Sequence, residues 1–301
     1  MDQRLNGATV VASVSGGKDS AALSLWLTEQ GIEHRRVFAD TGWEHDLTYE
    51  YLRGPLTQKL GPITEVAGPL KMRDLVLKKA MFPSRLRRFC TEDLKVRPIL
   101  KFVEQLQDEG HETVNAVGIR GAESDARLKL AEWEWSDAFD CWVWRPLIAW
   151  TEQDVIDIHK RHGLAPNPLY LKGAQRVGCF PCIFARKAEI KLVAEIAPGR
   201  IEEIRQLEAD VTKGAEERIA ARLKAGTITE DEEVALREFL PRTYFHGKLS
   251  RKGEPFPIDT IVAWSRTGQG GKQFDLIAEE QPEGCVRWGL CETSADDGGK
   301  A

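Results

Sequence analysis

The stretch Val10-Val11-Ala12-Ser13-Val14-Ser15-Gly16-Gly17-Lys18-Asp19-Ser20 constrains this chain most. Val10–Val14 is a short apolar run, as expected of a central parallel strand covered on both faces. Gly16 and Gly17 permit a tight turn and close backbone approach. Asp19 and Ser20 then open Ala21-Ala22-Leu23-Ser24-Leu25-Trp26-Leu27, a helical run that stops at Gly31. A strand that turns through glycines into a helix aims several N–H groups and the positive end of a helix dipole at one point. Lys18 adds a charge, and Ser15 and Ser20 add hydroxyl donors, so the turn is read as a phosphate site. Its spacing is not that of a Walker A loop. The plain alternative is an ordinary strand–turn–helix.

The hexapeptide Ser15-Gly-Gly-Lys-Asp-Ser20 resembles the PP-loop of the ATP-pyrophosphatase superfamily, which includes phosphoadenosine phosphosulfate (PAPS) reductases, the ATP sulfurylase small subunit and tRNA-thiolating enzymes. Further segments resemble the PAPS-reductase-like branch. Asp40-Thr41-Gly42-Trp43-Glu44 follows a second strand at His34–Ala39, on the ligand edge of an open α/β sheet. Arg88-Phe89-Cys90-Thr91 continues to Leu94-Lys95 and Pro98. The strand Thr113–Ile119 runs into Gly118-Ile119-Arg120, followed by Glu123-Ser124 and Arg127. Trp150-Thr151 and Asp154-Val155, then Gly163-Leu164 and Pro166-Asn167-Pro168-Leu169-Tyr170, complete the set, which covers about residues 8–185. The fold implied is α/β: a doubly wound, mostly parallel five-stranded sheet, Rossmann-like, with a C-terminal helical appendage and a cysteine-bearing tail. The expected division is a nucleotide-binding domain at 1–185, helices at 186–240 and a tail segment at 241–301.

Each segment carries an expectation beside a structural alternative. Asp40 can accept from ribose hydroxyls or an adenine amino group, with Thr41 and Gly42 adding a hydroxyl and a bare N–H; alternatively they cap a helix. Arg120 can present a forked donor pair to phosphate or sulfate, oriented by Glu123, with Arg127 as a second anion contact or a surface salt bridge. Ser13, Ser15, Gly16, Gly17, Lys18, Asp19, Ser20, Asp40, Thr41, Gly42, Gly118 and Arg120 are therefore the candidate nucleotide-binding residues. Lys18, Asp19, Arg120 and Cys291 are the candidate catalytic ones. Tryptophans crowd residues 132–150; most are read as packing, with Trp133 or Trp135 as the alternative platform for a stacked base. Pro55 is expected to break a helix over 45–60, and Ala215–Ala225 and Glu230–Phe239 are expected to be separate helices.

Six cysteines in a chain with no signal-peptide core speak for metal or redox roles rather than a disulfide framework. Cys179-Phe180-Pro181-Cys182 is the only close pair. Cys90 lies near Arg87, Arg88 and Lys95, which should favour its thiolate. Cys141 reads as core. The resemblance to assimilatory adenosine phosphosulfate (APS) reductases implies a 4Fe–4S cluster held there by a Cys-Cys pair and a later Cys-x-x-Cys. Here the first pair is reduced to Phe89-Cys90, so the implied set is Cys90, Cys179, Cys182 and Cys291, with Cys285 the alternative fourth ligand. A Cys₄ zinc site is the chemical rival. PAPS and APS reductases also share a C-terminal Glu-Cys-Gly-Leu-His segment, whereas this chain reads Gly289-Leu290-Cys291-Glu292 and lacks the histidine.

The function implied is a sulfur-metabolism enzyme that binds an adenine nucleotide, either ATP or PAPS/APS, with Mg²⁺ an allowed companion. It would reduce a sulfonucleotide or transfer sulfur, drawing on a thiol reductant or sulfur donor such as a thioredoxin-like protein or a cysteine desulfurase. Two alternatives stand beside it: an adenylylating sulfurtransferase acting on nucleic acid, as in DNA phosphorothioation, and a non-catalytic nucleotide-binding module. The formal net charge of −5 argues against a generic nucleic-acid coat. Residues 71–101 nevertheless hold ten Lys/Arg against three acidic residues, which suits a small anion or a local nucleic-acid groove. No apolar run approaches membrane-spanning length, and a cytoplasmic location is expected.

Overall fold

The computed structural model describes residues 2–245, 256–268 and 288. Six strands form one sheet: β1 (Thr9–Ser13), β2 (His34–Ala39), β3 (Ile63–Val66), β4 (Thr113–Ala116), β5 (Trp133–Ser136) and β6 (Cys141–Trp144). Their order is β3-β2-β1-β4-β6-β5, and every pairing is parallel except β5 with β6. The α/β class is as expected, but the strands number six rather than five. The sixth is the antiparallel edge strand β5, whose Trp133 and Trp135 sit opposite Trp144 and Trp142.

The alternation of a strand explains the layers. Val10, Ala12 and Val14 face a core that contains Ala21, Ala22, Leu23, Leu25 and Leu27 of the helix Lys18–Glu29, together with Val155 and Ile158 of the helix Glu152–Arg161. Val11 points the other way, to Val37 and to Val103 and Leu106 of the helix Arg97–Asp108. A strand buried on both faces must be apolar at every position, and β1 is buried from Val10 to Ala12. The chain leaves β1 toward β2 and β3, then returns to place β4 on the other side of β1. The strand order therefore reverses between β1 and β4, the crevice where open α/β sheets take ligands.

A second core lies beyond the carboxyl ends of the strands. It joins Trp43, Leu75, Val76, Phe82, Leu94, Leu169 and Phe180 to Ile190, Val193, Ile201, Ile204, Leu207, Tyr244 and Ile258. The helices Lys187–Ile196, Pro198–Lys224 and Ile258–Ser265 thus bury their apolar stripes against the region carrying the basic segment and the cysteine pair. Pro198–Lys224 is one continuous helix of 27 residues, not two. Gly214 lies inside it without ending it, because Ile204, Leu207, Val211, Ala215 and Ile219 keep one stripe buried throughout. Pro55 breaks the helical run as expected: Gly54 has non-helical backbone angles, φ −108° and ψ −105°, and a kink there separates Asp46–Tyr51 from the turn that leads into Thr57–Leu60. No helix among the described residues is long and apolar enough to cross a membrane.

Candidate active site

The loop after β1 is shaped by glycine and closed by serine. Gly16 has φ +74°, and a Cβ there would lie 2.9 Å from Thr48 Cγ2. The Ser15 N–H donates to Ser20 Oγ at 3.0 Å, and the Ser20 hydroxyl donates to the Gly17 carbonyl at 3.0 Å. Ser20 therefore ties both ends of the turn together. Gly118, past the end of β4, lets a second loop lie against the start of the helix: a Cβ there would lie 2.7 Å from the Asp19 carbonyl oxygen and 3.0 Å from Ser20 Cα.

The two charged groups singled out at this loop have partners within the protein. Lys18 is buried, its Nζ 3.2 Å from the Gln175 carbonyl, 3.1 Å from Glu152 and 4.9 Å from the Tyr170 ring centre. Its ammonium is directed at these groups rather than along the loop. Arg120 is likewise buried, and its guanidinium is ion-paired with Asp19. Glu123 does not orient that guanidinium. It accepts the Arg120 backbone N–H at 3.0 Å and pairs with Arg127. The Nε donor of the guanidinium expected to face an anion is thus engaged by the Asp19 carboxylate. The reason is a contact across 101 positions of sequence, which spacing does not disclose.

The segment after β2 divides between two tasks. Asp40 accepts from Gly42 N–H at 2.8 Å and Tyr49 Oη at 2.7 Å, and it pairs with Lys71. Burial alone would raise its carboxyl, but these donors hold it below the ordinary carboxylate range. Thr41 is fully buried and donates to Glu44 at 2.8 Å. Glu44, itself buried, also accepts from Tyr49 Oη at 3.0 Å and lies 3.9 Å from Cys179 Sγ. This segment therefore reaches the cysteine pair.

The Cys179–Cys182 turn is pinned through its backbone. Phe180 N–H donates to the Trp43 carbonyl at 2.7 Å, and the Pro181 carbonyl accepts from Trp43 Nε1 at 3.2 Å and from Tyr244 Oη at 2.7 Å. The Phe180–Pro181 bond is cis. Two cations stand by the pair: the Cys179 and Cys182 sulfurs favour the charged form of Lys95, and Cys182 that of Arg176. Arg176 is held in turn by Glu189 at 3.1 Å. Burial pushes the Cys179 thiol up to about 11, against the pull of Lys95 and with the push of Glu44. Lys95 is held charged by Cys179 and Glu44 against its own burial.

Cys90 departs from expectation. Burial raises its thiol, and the Lys95 charge only partly offsets this. Arg87 and Arg88 are close in sequence but exposed, so they do not favour the thiolate. Cys141 is buried in β6, as expected of a core residue. Cys285 and Cys291 lie outside the described residues. Among the described residues no three His, Cys, Asp or Glu side chains assemble into a group that could hold a metal ion. Cys182 acts on the thiols of both Cys90 and Cys179, and the fourth expected ligand lies outside the described residues.

One cleft of about 330 Å³ joins the two ends of this arrangement. Ser15, Gly17, Asp19, Ser20 and Gly118 form one wall, and Lys95, Arg176, Cys179 and Cys182 form the other. Glu123 and Arg127 also line it. Leu192 and Val193 give it an apolar side. Ser13, Gly16, Lys18, Asp40, Thr41, Gly42 and Arg120 are not part of its lining. Nor are Trp133 and Trp135. Trp133 is stacked on Trp144 at 4.9 Å and covered by the Arg4 guanidinium at 4.2 Å, so it packs the sheet edge rather than offering a base platform. Glu44, Tyr170 and Arg176 are the site residues that sequence reasoning passed over. Glu44 ends the segment Asp40–Glu44, and Arg176 stands three places before Cys179, but only tertiary contacts give them partners.

The model of the phosphoadenosine phosphosulfate reductase domain matches residues 9–185. The uncharacterized 37.8 kDa protein in the gpa 5' region of Escherichia phage 186 is 32% identical over 340 residues, spanning 94% of this chain and 96% of that protein. Adenosine 5'-phosphosulfate reductase of Mycolicibacterium smegmatis is 34% identical over 65 residues, spanning 22% of this chain and 28% of that enzyme. Among solved structures, a PAPS reductase from Candida auris in a phosphate complex superimposes with a TM-score of 0.44 at 16% identity, covering 58% of this chain and 82% of that one. By the domain match and the full-length phage relative, the chain belongs to the phosphoadenosine phosphosulfate reductase domain family.

Proposed function

We propose that this protein is a PP-loop enzyme that binds an adenine nucleotide, ATP or PAPS/APS, and carries out sulfur chemistry at its Cys179–Cys182 pair. The observation that carries the reading is the single cleft lined at one end by Ser15, Gly17, Asp19 and Ser20 and at the other by Cys179 and Cys182. A nucleotide whose phosphates sit against the loop amides extends its anhydride end toward the two thiols, where Lys95 and Arg176 supply positive charge for a transferring anionic group. For a sulfonucleotide, one thiolate attacks the sulfate sulfur. The S–O bond to the nucleotide phosphate breaks, the nucleotide leaves with the electron pair, and a cysteine S-sulfonate remains. Attack by the second thiol releases sulfite and leaves a disulfide, which an external dithiol reduces. For ATP, the corresponding first step is adenylylation of an acceptor oxygen with release of pyrophosphate. The outer sulfur of a persulfide on one cysteine, loaded by an external persulfide donor, then attacks the activated centre, and AMP leaves with the C–O or P–O electron pair. The second thiolate attacks the inner sulfur, which releases the thiolated acceptor and leaves a Cys179–Cys182 disulfide for an external dithiol to reduce.

A substrate panel on anaerobic, thiol-reduced protein tests the reading. Sulfite from PAPS or APS, or pyrophosphate from ATP with an added acceptor, is expected, together with loss of sulfur transfer in Cys179→Ser and Cys182→Ser. Nucleotide binding without either product would instead make the chain a non-catalytic nucleotide-binding module.

A further inference from the structure

The basic segment holds more than the cleft uses. Lys71, Arg73, Lys79 and Arg97 are tied to Asp40, Asp210, Asp93 and Glu92. Arg85, Arg87 and Arg88 are exposed, and no salt bridge engages them among the described residues. They stand on a turn closed by Ser84 N–H to the Arg87 carbonyl at 3.1 Å and Arg87 N–H to the Ser84 carbonyl at 3.3 Å. At its tip Leu86 is 96% exposed. Behind the turn, Arg242 has a buried Nε with no hydrogen-bond acceptor. Burial first, and then the charge of Arg87, disfavours its charged form. Like charges are thus gathered here on an acidic protein, and no salt bridge engages Arg87 or Arg242 among the described residues. At the base of the turn, the Arg88 guanidinium lies 5.3 Å from the ring centre of Phe184, whose neighbour Ala185 lines the cleft, as does Cys182.

We propose that the turn Ser84–Arg88 is a docking ridge for a nucleic-acid strand, with Arg85, Arg87 and Arg88 on its phosphates and Leu86 against its bases. A protein partner would need an apolar patch to form the centre of an interface, and this turn offers one leucine among arginines. Guanidiniums around an apolar tip match a phosphodiester backbone, which is polyanionic, and bases, which have apolar faces. The proposal names the macromolecular class that the cleft would act on. It rests on the sulfur-chemistry reading for what happens to the strand, and on the turn alone for binding.

Fluorescence anisotropy of a labelled oligothymidylate against the full chain tests it. Three phosphate contacts give a slope of log K against log salt of about −2, that is, roughly twentyfold weaker binding between about 50 and 200 mM salt. Arg85→Ala/Arg87→Ala/Arg88→Ala should remove that slope and cost at least tenfold at low salt, each single Arg→Gln about a third of the slope, and Leu86→Ala affinity without slope. Because these side chains are exposed, the melting temperature should hold, and adenine-nucleotide binding in the cleft should be unchanged. Oligothymidylate binding that survives the triple substitution, or that fails in the wild-type chain, overturns the proposal. So does labelled polyglutamate binding equally well with the same losses, which would mark an acidic protein as the partner. Loss of cleft nucleotide binding in the wild-type chain, with strand binding intact, would overturn the functional reading and leave this one standing.

Discussion

Gly118→Ala is the smallest change that should separate the two walls of the nucleotide end. The new Cβ would sit 2.7 Å from the Asp19 carbonyl oxygen, 3.0 Å from Ser20 Cα and 3.1 Å from the Asp19 carbonyl carbon. All three are backbone atoms, so no side chain can rotate away. Either the loop after β4 or the first turn of Lys18–Glu29 must move by several tenths of an ångström. Overpacking of this kind costs about 1–3 kcal/mol. If the loop holds, the cost appears in stability, at about 2–4 °C of melting temperature per kcal/mol. If the loop yields, it appears in nucleotide binding, at tenfold for each ~1.4 kcal/mol. Gly17→Ala is the internal control, since its Cβ would meet nothing closer than 3.3 Å and its φ is −86°. Thermal melts and calorimetric titration with ATP and PAPS on both variants should show a combined loss for Gly118→Ala several times that for Gly17→Ala. Equal stability and affinity within twofold of the wild type for Gly118→Ala would refute the claim that this close approach builds the site.

Three other perturbations probe the same framework. Asp19→Ala should leave the buried Arg120 charge without its carboxylate and destabilise the fold by about 3–5 kcal/mol, partly restored by millimolar sulfate or phosphate; urea midpoints with and without the anion check this. With its thiol near 11, Cys179 should be alkylated slowly at neutral pH, its rate rising about tenfold per pH unit through pH 9, as followed by peptide mapping; a plateau below pH 9 would contradict the burial argument. His34, held neutral between Ser24 Oγ at 2.7 Å and the Ile32 carbonyl at 2.8 Å, is lowered to about 4, chiefly by burial. The unfolded chain, with an ordinary imidazole near 6.5, then binds more protons between these values. Stability should therefore fall as pH drops from about 6.5 to about 4, and His34→Gln should flatten that part of the urea-midpoint profile.

The strand–turn–helix at Val10–Ser20 was legible because its signals are local: an apolar run, two glycines and a helix start. The cysteine pair was legible for the same reason. What escaped depends on partners distant in sequence. Lys18 and Arg120 are the right residue types for an anion site, yet each meets its carboxylate over a hundred positions away, at Glu152 and Asp19. Arg87 and Arg88 sit beside Cys90 in sequence but are exposed, so burial outweighs the Thr91 hydrogen bond and the Lys95 charge in setting that thiol. The edge strand β5 was missed because Trp133–Ser136 shows its partner only across the sheet, in Trp142 and Trp144. The fused helix Pro198–Lys224 was missed because Gly214 stands where the reading divided it, whereas burial of Val211 and Ala215 on either side carries the helix through.

The cleft straddles two hydrophobic cores, and this bears on how the protein can be retuned. Its loop wall rests on the core beneath β1, whereas its cysteine wall rests on the core shared with Trp43, Tyr244 and the helices after Lys187. Substitutions in those helices can shift the surroundings of Cys179 and Cys182 while the Ser15–Ser20 loop keeps its own support. Tyr170 and Gln175, both bonded to Lys18, are where a shift in the second core would reach that loop.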